Sequence, residues 1–200
     1  MRIGEDESAA RRLRRCFGWA LGFVALLWAI RLVQSVLGLK LARYGVLPGD
    51  PAGLAGVLSA PLIHGSPAHL FANTAPLLVL GTALLFGYPR AARLALPVIY
   101  LGAGLGVWLF ARDAYHIGAS GLIYVLASFI FFKGIFTGYY RLVALSLIVV
   151  FVYGGMLWYI FPVLDAIPWE GHLAGFVTGL FLALVLKTPV PDTRKYSWEA

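Results

Sequence analysis

Six long apolar segments follow one another along the 200 residues of this chain. Lipid hydrocarbon offers the backbone no hydrogen-bonding partners, so only helices or a closed barrel can cross it. A crossing helix needs about 20 mostly apolar residues, and unbroken runs near that length indicate helices. Because 60% of the residues are hydrophobic and 12% are charged, the apolar surface exceeds what one soluble core can bury. The sequence therefore predicts an all-α, multi-pass membrane protein with six transmembrane helices.

The apolar runs predict where these helices lie. Their expected positions are 17–39, 69–86, 94–110, 120–132, 142–161 and 172–186. The fourth, with some 13 residues, would rise only about 20 Å at 1.5 Å per residue, so we expect a short helix buried among longer ones. The first is too long for a cleaved signal peptide and contains Arg31. We expect a basic cytoplasmic tail at 1–16, a membrane domain at 17–187 and a cytoplasmic tail at 188–200.

Basic residues predict the orientation, because cytoplasmic flanks of membrane helices carry an excess of Lys and Arg. Twelve of the sixteen fall on the side that an even helix count assigns to both termini. These twelve are Arg2, Arg11, Arg12, Arg14, Arg15, Arg90, Arg93, Lys133, Arg141, Lys187, Arg194 and Lys195. The net charge of +7 is thus a sign of topology and not of nucleic-acid binding. Both termini are expected in the cytoplasm, and the starts of the second, fourth and sixth helices are expected to face outward.

Two connections have unusual composition. The stretch 40–67 mixes turn residues with an apolar run at 54–63, so we expect it to lie in the membrane interface. The stretch 162–170 contains Pro162, Pro168 and two acids, so it cannot continue a helix and is expected to form a mobile cap. This cap leads directly into the sixth helix.

Polar residues, which are costly inside a membrane, occur at three helix starts and mark a candidate functional site. They are His69 and Asn73 on one face of the second helix, Gly118, Ser120, Gly121 and Tyr124 at the fourth, and His172, Gly175 and Gly179 at the sixth. The predicted topology brings all three starts to one membrane level. A hydroxyl, an imidazole and an amide from separate helices can therefore converge.

The combination of His-x-x-x-Asn, Gly-x-Ser-Gly and a late His followed by glycines resembles the rhomboid intramembrane proteases. The likeness extends over nearly the whole six-helix core. It rests on the order and helix positions of the motifs, because each motif alone is common. The resemblance implies that Ser120 is the nucleophile and His172 the general base, without a carboxylate third member. It also implies that Tyr124 packs against the histidine.

The chemistry of peptide hydrolysis agrees with these roles. Serine is a poor nucleophile at neutral pH, so an imidazole must take its proton and later return it to the leaving amine. The oxyanion needs fixed donors, and the backbone N–H of Ser120, the Asn73 amide and His69 are candidates. Gly118 and Gly121 allow a tight turn with the backbone close to a substrate carbonyl. The two later glycines, Gly175 and Gly179, allow the sixth helix to approach the fourth.

The same four residues also have structural interpretations. Ser120 could be a helix N-cap, His172 an interface histidine, Asn73 an interhelical hydrogen-bonding group and Tyr124 a member of an aromatic belt. Each interpretation is reasonable alone. Together they require four coincidences at one depth, which favours the catalytic interpretation.

Other reactive side chains receive no catalytic role. His64 is expected to be structural, and His116 is expected to be a surface loop histidine. Asp165 and Glu170 are candidates for a triad acid, yet Glu170 is better interpreted as a solvated helix start. Cys16 is the single cysteine of the chain, which excludes an internal disulfide. The histidines lack supporting carboxylates, so we propose no metal, and no cofactor is expected.

The expected activity is therefore cleavage of single-pass membrane proteins within the bilayer. The resemblance is to the compact bacterial form of the family, which implies a location in the cytoplasmic membrane. Two alternatives within the fold remain: a catalytically silent protein that binds transmembrane helices, and a specialised processor of C-terminal sorting tails. A solute transporter would show inverted repeats, which we do not find. One departure from the family is that Leu54-Ala55-Gly56-Val57 stands where many members have a Trp-Arg pair, which puts loop anchoring in doubt.

Overall fold

The computed structural model of the protein describes residues 8–162 and 168–187, with Leu157 described by its backbone alone. Its α-helices are α1 Ala9–Val36, α2 Ala55–Ser59, α3 Pro67–Gly87, α4 Pro89–Phe110, α5 Ser120–Thr137, α6 Tyr140–Tyr153 and α7 Trp169–Val185. All six predicted helices are present, and α2 is an additional short helix in the first long connection. Residues 1–7 and 188–200 of the predicted tails lie outside the described residues. So does the part of the predicted cap at 163–167, including Asp165.

The helices form a polytopic membrane bundle. α1, α3, α4 and α5 are long and apolar enough to cross a bilayer, whereas α6 and α7 are apolar but shorter. Large apolar side chains cover the outward faces, such as Leu109 at 73% exposure on α4 and Phe151 at 91% on α6. Such surfaces require a hydrocarbon solvent. The protein is an integral membrane protein.

Local signals move several helix ends away from the ends of the apolar runs. α1 begins at Ala9 and not at position 17, because the Ser8 side chain accepts a hydrogen bond from the Arg11 N–H (3.3 Å) and arginine is a good helix former. α4 begins at Pro89 and not at 94, since proline is favoured at the first helical position. The predicted fifth helix is split. α6 ends at Tyr153, and the glycine pair that follows opens a 3₁₀ segment, Gly154–Ile160.

α5 lies at the centre of the bundle. Over its apolar window 56% of the residues are buried, against 22–28% in the other three spans, so its burial agrees with the prediction. However, the helix has 18 residues and is longer than predicted. It continues to Thr137 and is ended by Gly138, which adopts the left-handed conformation. Lys133 was predicted to lie in a connection, but it is a buried residue of α5. Its Nζ donates to the carbonyls of Ala183 (3.0 Å) and Leu186 at the end of α7, so a helix terminus neutralises the buried cation.

Glycines set the close contact between α5 and α7, as the sequence predicted. A Cβ at Gly175 would collide with the carbonyl oxygen of Gly121. A Cβ at Gly179 would collide with the Val125 carbonyl and the Ser128 hydroxyl. The two backbones therefore touch directly, which is the usual use of small residues between membrane helices.

The first long connection is firmly attached, so the doubt about its anchoring is unfounded. Val46 and His116 exchange two backbone hydrogen bonds of 2.9 Å. The Trp108 indole donates to the Asp50 carbonyl (2.8 Å), while the Gly49 N–H donates to the Trp108 carbonyl (3.0 Å). Aromatic side chains of α4 thus hold the connection where the Trp-Arg pair is missing.

Candidate active site

Ser120 is the first residue of α5, and its hydroxyl oxygen lies 3.1 Å from His172 Nε2. The N-cap position belongs to Ala119, so the interpretation of Ser120 as a cap is wrong. His172 lies in the first turns of α7 and is 9% exposed. The two residues are separated by 52 positions in the chain. The predicted convergence of the fourth and sixth helix starts is therefore present.

The contact made by Nδ1, the other ring nitrogen of His172, determines which nitrogen of the neutral ring carries the proton. Nδ1 lies 2.9 Å from the carbonyl oxygen of Tyr159, in the 3₁₀ segment after α6. A carbonyl oxygen only accepts hydrogen bonds, so Nδ1 carries the proton in the neutral ring. Nε2 is left with a lone pair that can accept the Ser120 hydroxyl proton. This arrangement is the one that a general base requires.

Tyr124 packs flat against His172. Its ring lies 4.4 Å from that of His172 with an interplanar angle of 15°, and the residue is only 3% exposed. Its hydroxyl donates to the carbonyl of Met156 at 2.6 Å. Burial excludes a position in an aromatic belt. Together with the bond from His172 to Tyr159, the bond from Tyr124 to Met156 attaches the Gly154–Ile160 segment to these two stacked rings.

Two predicted site residues of α3, His69 and Asn73, line the same cavity as Ser120. Gly118 has φ +107°, which favours glycine, and a Cβ there would lie 2.6 Å from His69 Cε1. Asn73 is 5% exposed, and its Nδ2 has no hydrogen-bond partner among the described residues. A buried donor without a partner costs free energy, so its retention suggests a use in function.

The cavity beside Ser120 has a volume of about 590 Å³. Besides the polar side chains described above, its lining includes apolar or aromatic side chains from α3, α5, α6 and the Gly154–Ile160 segment, among them Pro76, Ile123, Tyr153 and Met156. The cavity is large enough for several side chains and for water. It can therefore hold a peptide segment against Ser120.

The other two histidines support the loop before Ser120. His64 is 1% exposed, and its Nε2 accepts a hydrogen bond from the Ala119 N–H (3.3 Å). Burial, and secondarily the neighbouring His69, lower the pKa of His64 to about 4, so the ring is neutral. His116 is buried at 7% exposure and bridged to Val46, which corrects its prediction as a surface loop residue. His64 and His116 therefore both stabilise the local structure.

Glu170 is not a solvated helix start. The residue is 4% exposed, and its carboxylate accepts hydrogen bonds from Arg112 Nε (2.6 Å) and Nη2 (3.1 Å). It is therefore engaged away from His172, whose Nδ1 faces a carbonyl. Sequence reasoning missed this pair because the partners lie 58 positions apart, Arg112 in the connection after α4 and Glu170 in the first turn of α7. Within residues 8–162 and 168–187, no group of three or more His, Cys, Asp or Glu side chains could hold a metal ion.

Comparison with known proteins gives one family. A family model described as "Rhomboid domain" matches residues 51–189. A protein of Mycobacterium tuberculosis strain H37Rv, described as uncharacterized, is 39% identical over 183 residues, which cover 87% of this chain and 76% of the relative. A protein of Mycobacterium bovis gives the same values. One of Mycobacterium leprae is 33% identical over 198 residues, covering 92% and 77% respectively. The matched region includes every cavity residue described above.

Proposed function

Because this chain belongs to the rhomboid family, we propose that it is a serine endopeptidase that cleaves transmembrane segments of other proteins. Ser120 is the nucleophile and His172 the general base. The observation that carries the proposal is the 3.1 Å contact between Ser120 Oγ and Nε2 of His172. An N-capping serine or an interface histidine needs no such contact.

The first half of the reaction forms an acyl-enzyme. Ser120 Oγ attacks the carbonyl carbon of the scissile bond as its proton moves to His172 Nε2. The resulting imidazolium still donates from Nδ1 to the Tyr159 carbonyl, which stabilises its charge in place of a triad carboxylate. The tetrahedral intermediate then collapses, and His172 gives the proton to the leaving amine. The C-terminal fragment leaves as this amine, and an ester remains between Ser120 Oγ and the new C-terminal carbonyl of the N-terminal fragment.

The oxyanion formed in this step needs donors already in place. The backbone N–H of Ser120 lies in the first turn of α5, where helix geometry provides no intrahelical acceptor and the helix dipole favours negative charge. The Asn73 amide lines the same cavity without a partner among the described residues. His69, held against Gly118, is the third candidate donor. Fixed donors of this kind supply much of the catalysis in acyl transfer.

Water completes the reaction in the second half. A water molecule attacks the ester carbonyl as His172 again accepts a proton, and Ser120 is regenerated when that proton returns to its oxygen. The cavity of about 590 Å³ beside the dyad is large enough to hold this water. Hydrolysis within the bilayer therefore requires no cofactor in this proposal.

The proposed substrates are single-pass membrane proteins that approach from the lipid. A helical substrate has its carbonyls in hydrogen bonds, so it must unwind locally before Ser120 can attack. Access is proposed past α6, whose outer face carries exposed apolar residues such as Phe151 and whose helix gives way to the 3₁₀ segment beside His172. C-terminal sorting tails are a narrower class of the same substrates. The proposed location is the bacterial cytoplasmic membrane with both termini inside.

A catalytically silent helix-binding protein is the less supported alternative. Such a protein has no need for Ser120 or His172, whereas here the two residues are hydrogen-bonded and His172 is held in the tautomer that a base requires. A silent protein also has no use for an unpartnered buried amide at Asn73.

A serine-directed fluorophosphonate probe tests the proposal. The purified protein in detergent should form a covalent adduct on Ser120, and Ser120→Ala and His172→Ala should form none while they retain the wild-type melting temperature within a few degrees. Absence of an adduct on folded wild-type protein, or labelling that survives in Ser120→Ala, would overturn it. The orientation is tested separately with reporters fused to the C-terminus. A reporter that works only in the cytoplasm should be active, and one that works only on the outer side should be inactive.

A further inference from the structure

An ion pair between a buried carboxylate and a partly exposed guanidinium joins the start of α7 to the connection that leads into α5. The Glu170 carboxylate receives two hydrogen bonds from one guanidinium, that of Arg112, in the bidentate geometry that fixes both position and angle. The Glu170 side chain is 6% exposed and that of Arg112 is 41% exposed. Arg112 follows the end of α4 by two positions, and Glu170 precedes His172 by two positions. The pair therefore lies next to the base without touching it.

The connection 111–119 is also fixed on its other side. His116 is bridged to Val46, and the Gly118 N–H donates to the Ala60 carbonyl (2.9 Å). The Ala119 N–H donates to His64. These bonds hold the backbone that delivers Ser120 against the first long connection. The Arg112–Glu170 pair attaches the start of α7 to this same framework.

Apart from the contacts of His172 itself with Ser120, Tyr124 and Tyr159, the first turn of α7 has few means of being fixed among the described residues. Its N-cap position is occupied by Pro168, which provides no side-chain cap within the described residues. The glycine contacts with α5 lie further along α7, at Gly175 and Gly179. They set the distance between the helices, but a smooth glycine surface does not fix rotation or sliding of the first turn. A bidentate ion pair fixes both.

We propose that Arg112 and Glu170 form a positioning pair that sets the rotation and height of the α7 start, so that His172 Nε2 meets Ser120 Oγ. The proposal rests on the protease function proposed above. Glu170 does not act as a triad acid, because His172 Nδ1 is bonded to the Tyr159 carbonyl. Its effect on catalysis is transmitted through the helix. A displacement of about 1 Å at a reacting group can cost on the order of 10²-fold in rate, so such a pair can control turnover.

Glu170→Gln is the main test, since it keeps the shape of the side chain and removes its charge. We expect kcat and the rate of fluorophosphonate labelling to fall together by about 10- to 100-fold, with KM changed by less than about threefold. Arg112→Gln should lower the melting temperature more than Glu170→Gln does, because it leaves a buried carboxylate without its counter-ion. The exchanged variant Arg112→Glu with Glu170→Arg should recover part of the lost rate. Recovery is partial because a cation is unfavourable at a helix N-terminus.

Asp113→Asn is the matched control, since Asp113 is an exposed carboxylate in the same connection. It should leave kcat, KM and melting temperature unchanged. The positioning role is overturned if Glu170→Gln turns over at the wild-type rate per folded molecule, whether or not its melting temperature falls. It is also overturned if the exchanged variant is slower than both single variants. Failure of the protease proposal looks different, because wild type itself would then give no adduct at Ser120.

Discussion

Replacing Asn73 by alanine removes one proposed oxyanion donor and should reduce kcat with little change in KM. Asn73 lies on α3, is 5% exposed and lines the cavity with Ser120. Its Nδ2 is buried without a partner among the described residues. In the resting protein this donor is available, and it gains a partner only when negative charge develops on the substrate oxygen. It therefore stabilises the transition state selectively.

The size of the effect follows from that geometry. Loss of a single oxyanion donor costs about 2.7–4 kcal/mol of transition-state stabilisation, which is roughly 10²- to 10³-fold in kcat. Because Nδ2 makes no bond to the described residues in the resting state, Asn73→Ala breaks no such bond of this nitrogen. It instead relieves a buried unsatisfied group, whose cost is about 1–3 kcal/mol and offsets the lost packing. We expect the melting temperature in detergent to stay close to that of wild type.

Thr74→Val provides a matched control on the adjacent residue of α3. The Thr74 hydroxyl accepts a hydrogen bond from the Trp28 indole (3.1 Å) on α1, so it stabilises helix packing away from the cavity. Its loss should lower the melting temperature, because a membrane hydrogen bond contributes on average about 0.6 kcal/mol, and should leave kcat unchanged. Measuring kcat, KM and melting for both variants separates the two roles. A normal kcat with a lowered melting temperature for Asn73→Ala would refute the oxyanion role.

Three further predictions concern the supports of the site. Gly175→Ala should abolish cleavage and lower the melting temperature, because the new Cβ would collide with the Gly121 carbonyl. Gly18→Ala is the control: no described atom lies within 4 Å of its new Cβ, so it should be neutral or slightly stabilising. Equal melting temperatures of the two variants would contradict this prediction. Tyr124→Phe keeps the ring on His172 but loses the bond to the 3₁₀ segment, so kcat should fall less than in Tyr124→Ala, and equal losses would refute a separate role for stacking. The pKa of His64, about 4 against an ordinary 6.5, means that the unfolded state binds the proton more readily. Stability should therefore be full above pH 6.5 and fall by up to about 3 kcal/mol as the pH drops towards 4, a slope that His64→Gln should flatten in melting curves measured against pH.

The sequence was sufficient to predict the arrangement of the helices and the proximity of Ser120 and His172. Lipid leaves few choices for a chain with six apolar runs, and the bias in basic residues assigns alternate helix starts to one side. That assignment is what allowed Ser120, His172 and the α3 residues to be expected in one place. The bundle and the 3.1 Å contact agree with it.

Other features could not be predicted because their signals do not reside in residue identity. The partner of His172 Nδ1 is a backbone carbonyl, which every residue has, so no letter at position 159 marks it. The Arg112–Glu170 pair joins a connection to the start of α7, and the relative position of the two exists only in the folded bundle. Lys133 was assigned to a connection because a charge usually ends an apolar run. Here it continues α5, since the carbonyls at the end of α7 accept its hydrogen bonds.

Hydrolysis of a membrane-embedded peptide bond is the central claim, and product masses measure it most directly. The protein is reconstituted in liposomes with a model single-pass substrate, and the fragments are weighed by mass spectrometry. Wild type should give two fragments whose masses sum to that of the substrate plus one water, with the cut inside or at the edge of the transmembrane segment. Ser120→Ala should leave the substrate intact. Intact substrate with folded wild type, or the same fragments with Ser120→Ala, would contradict the account.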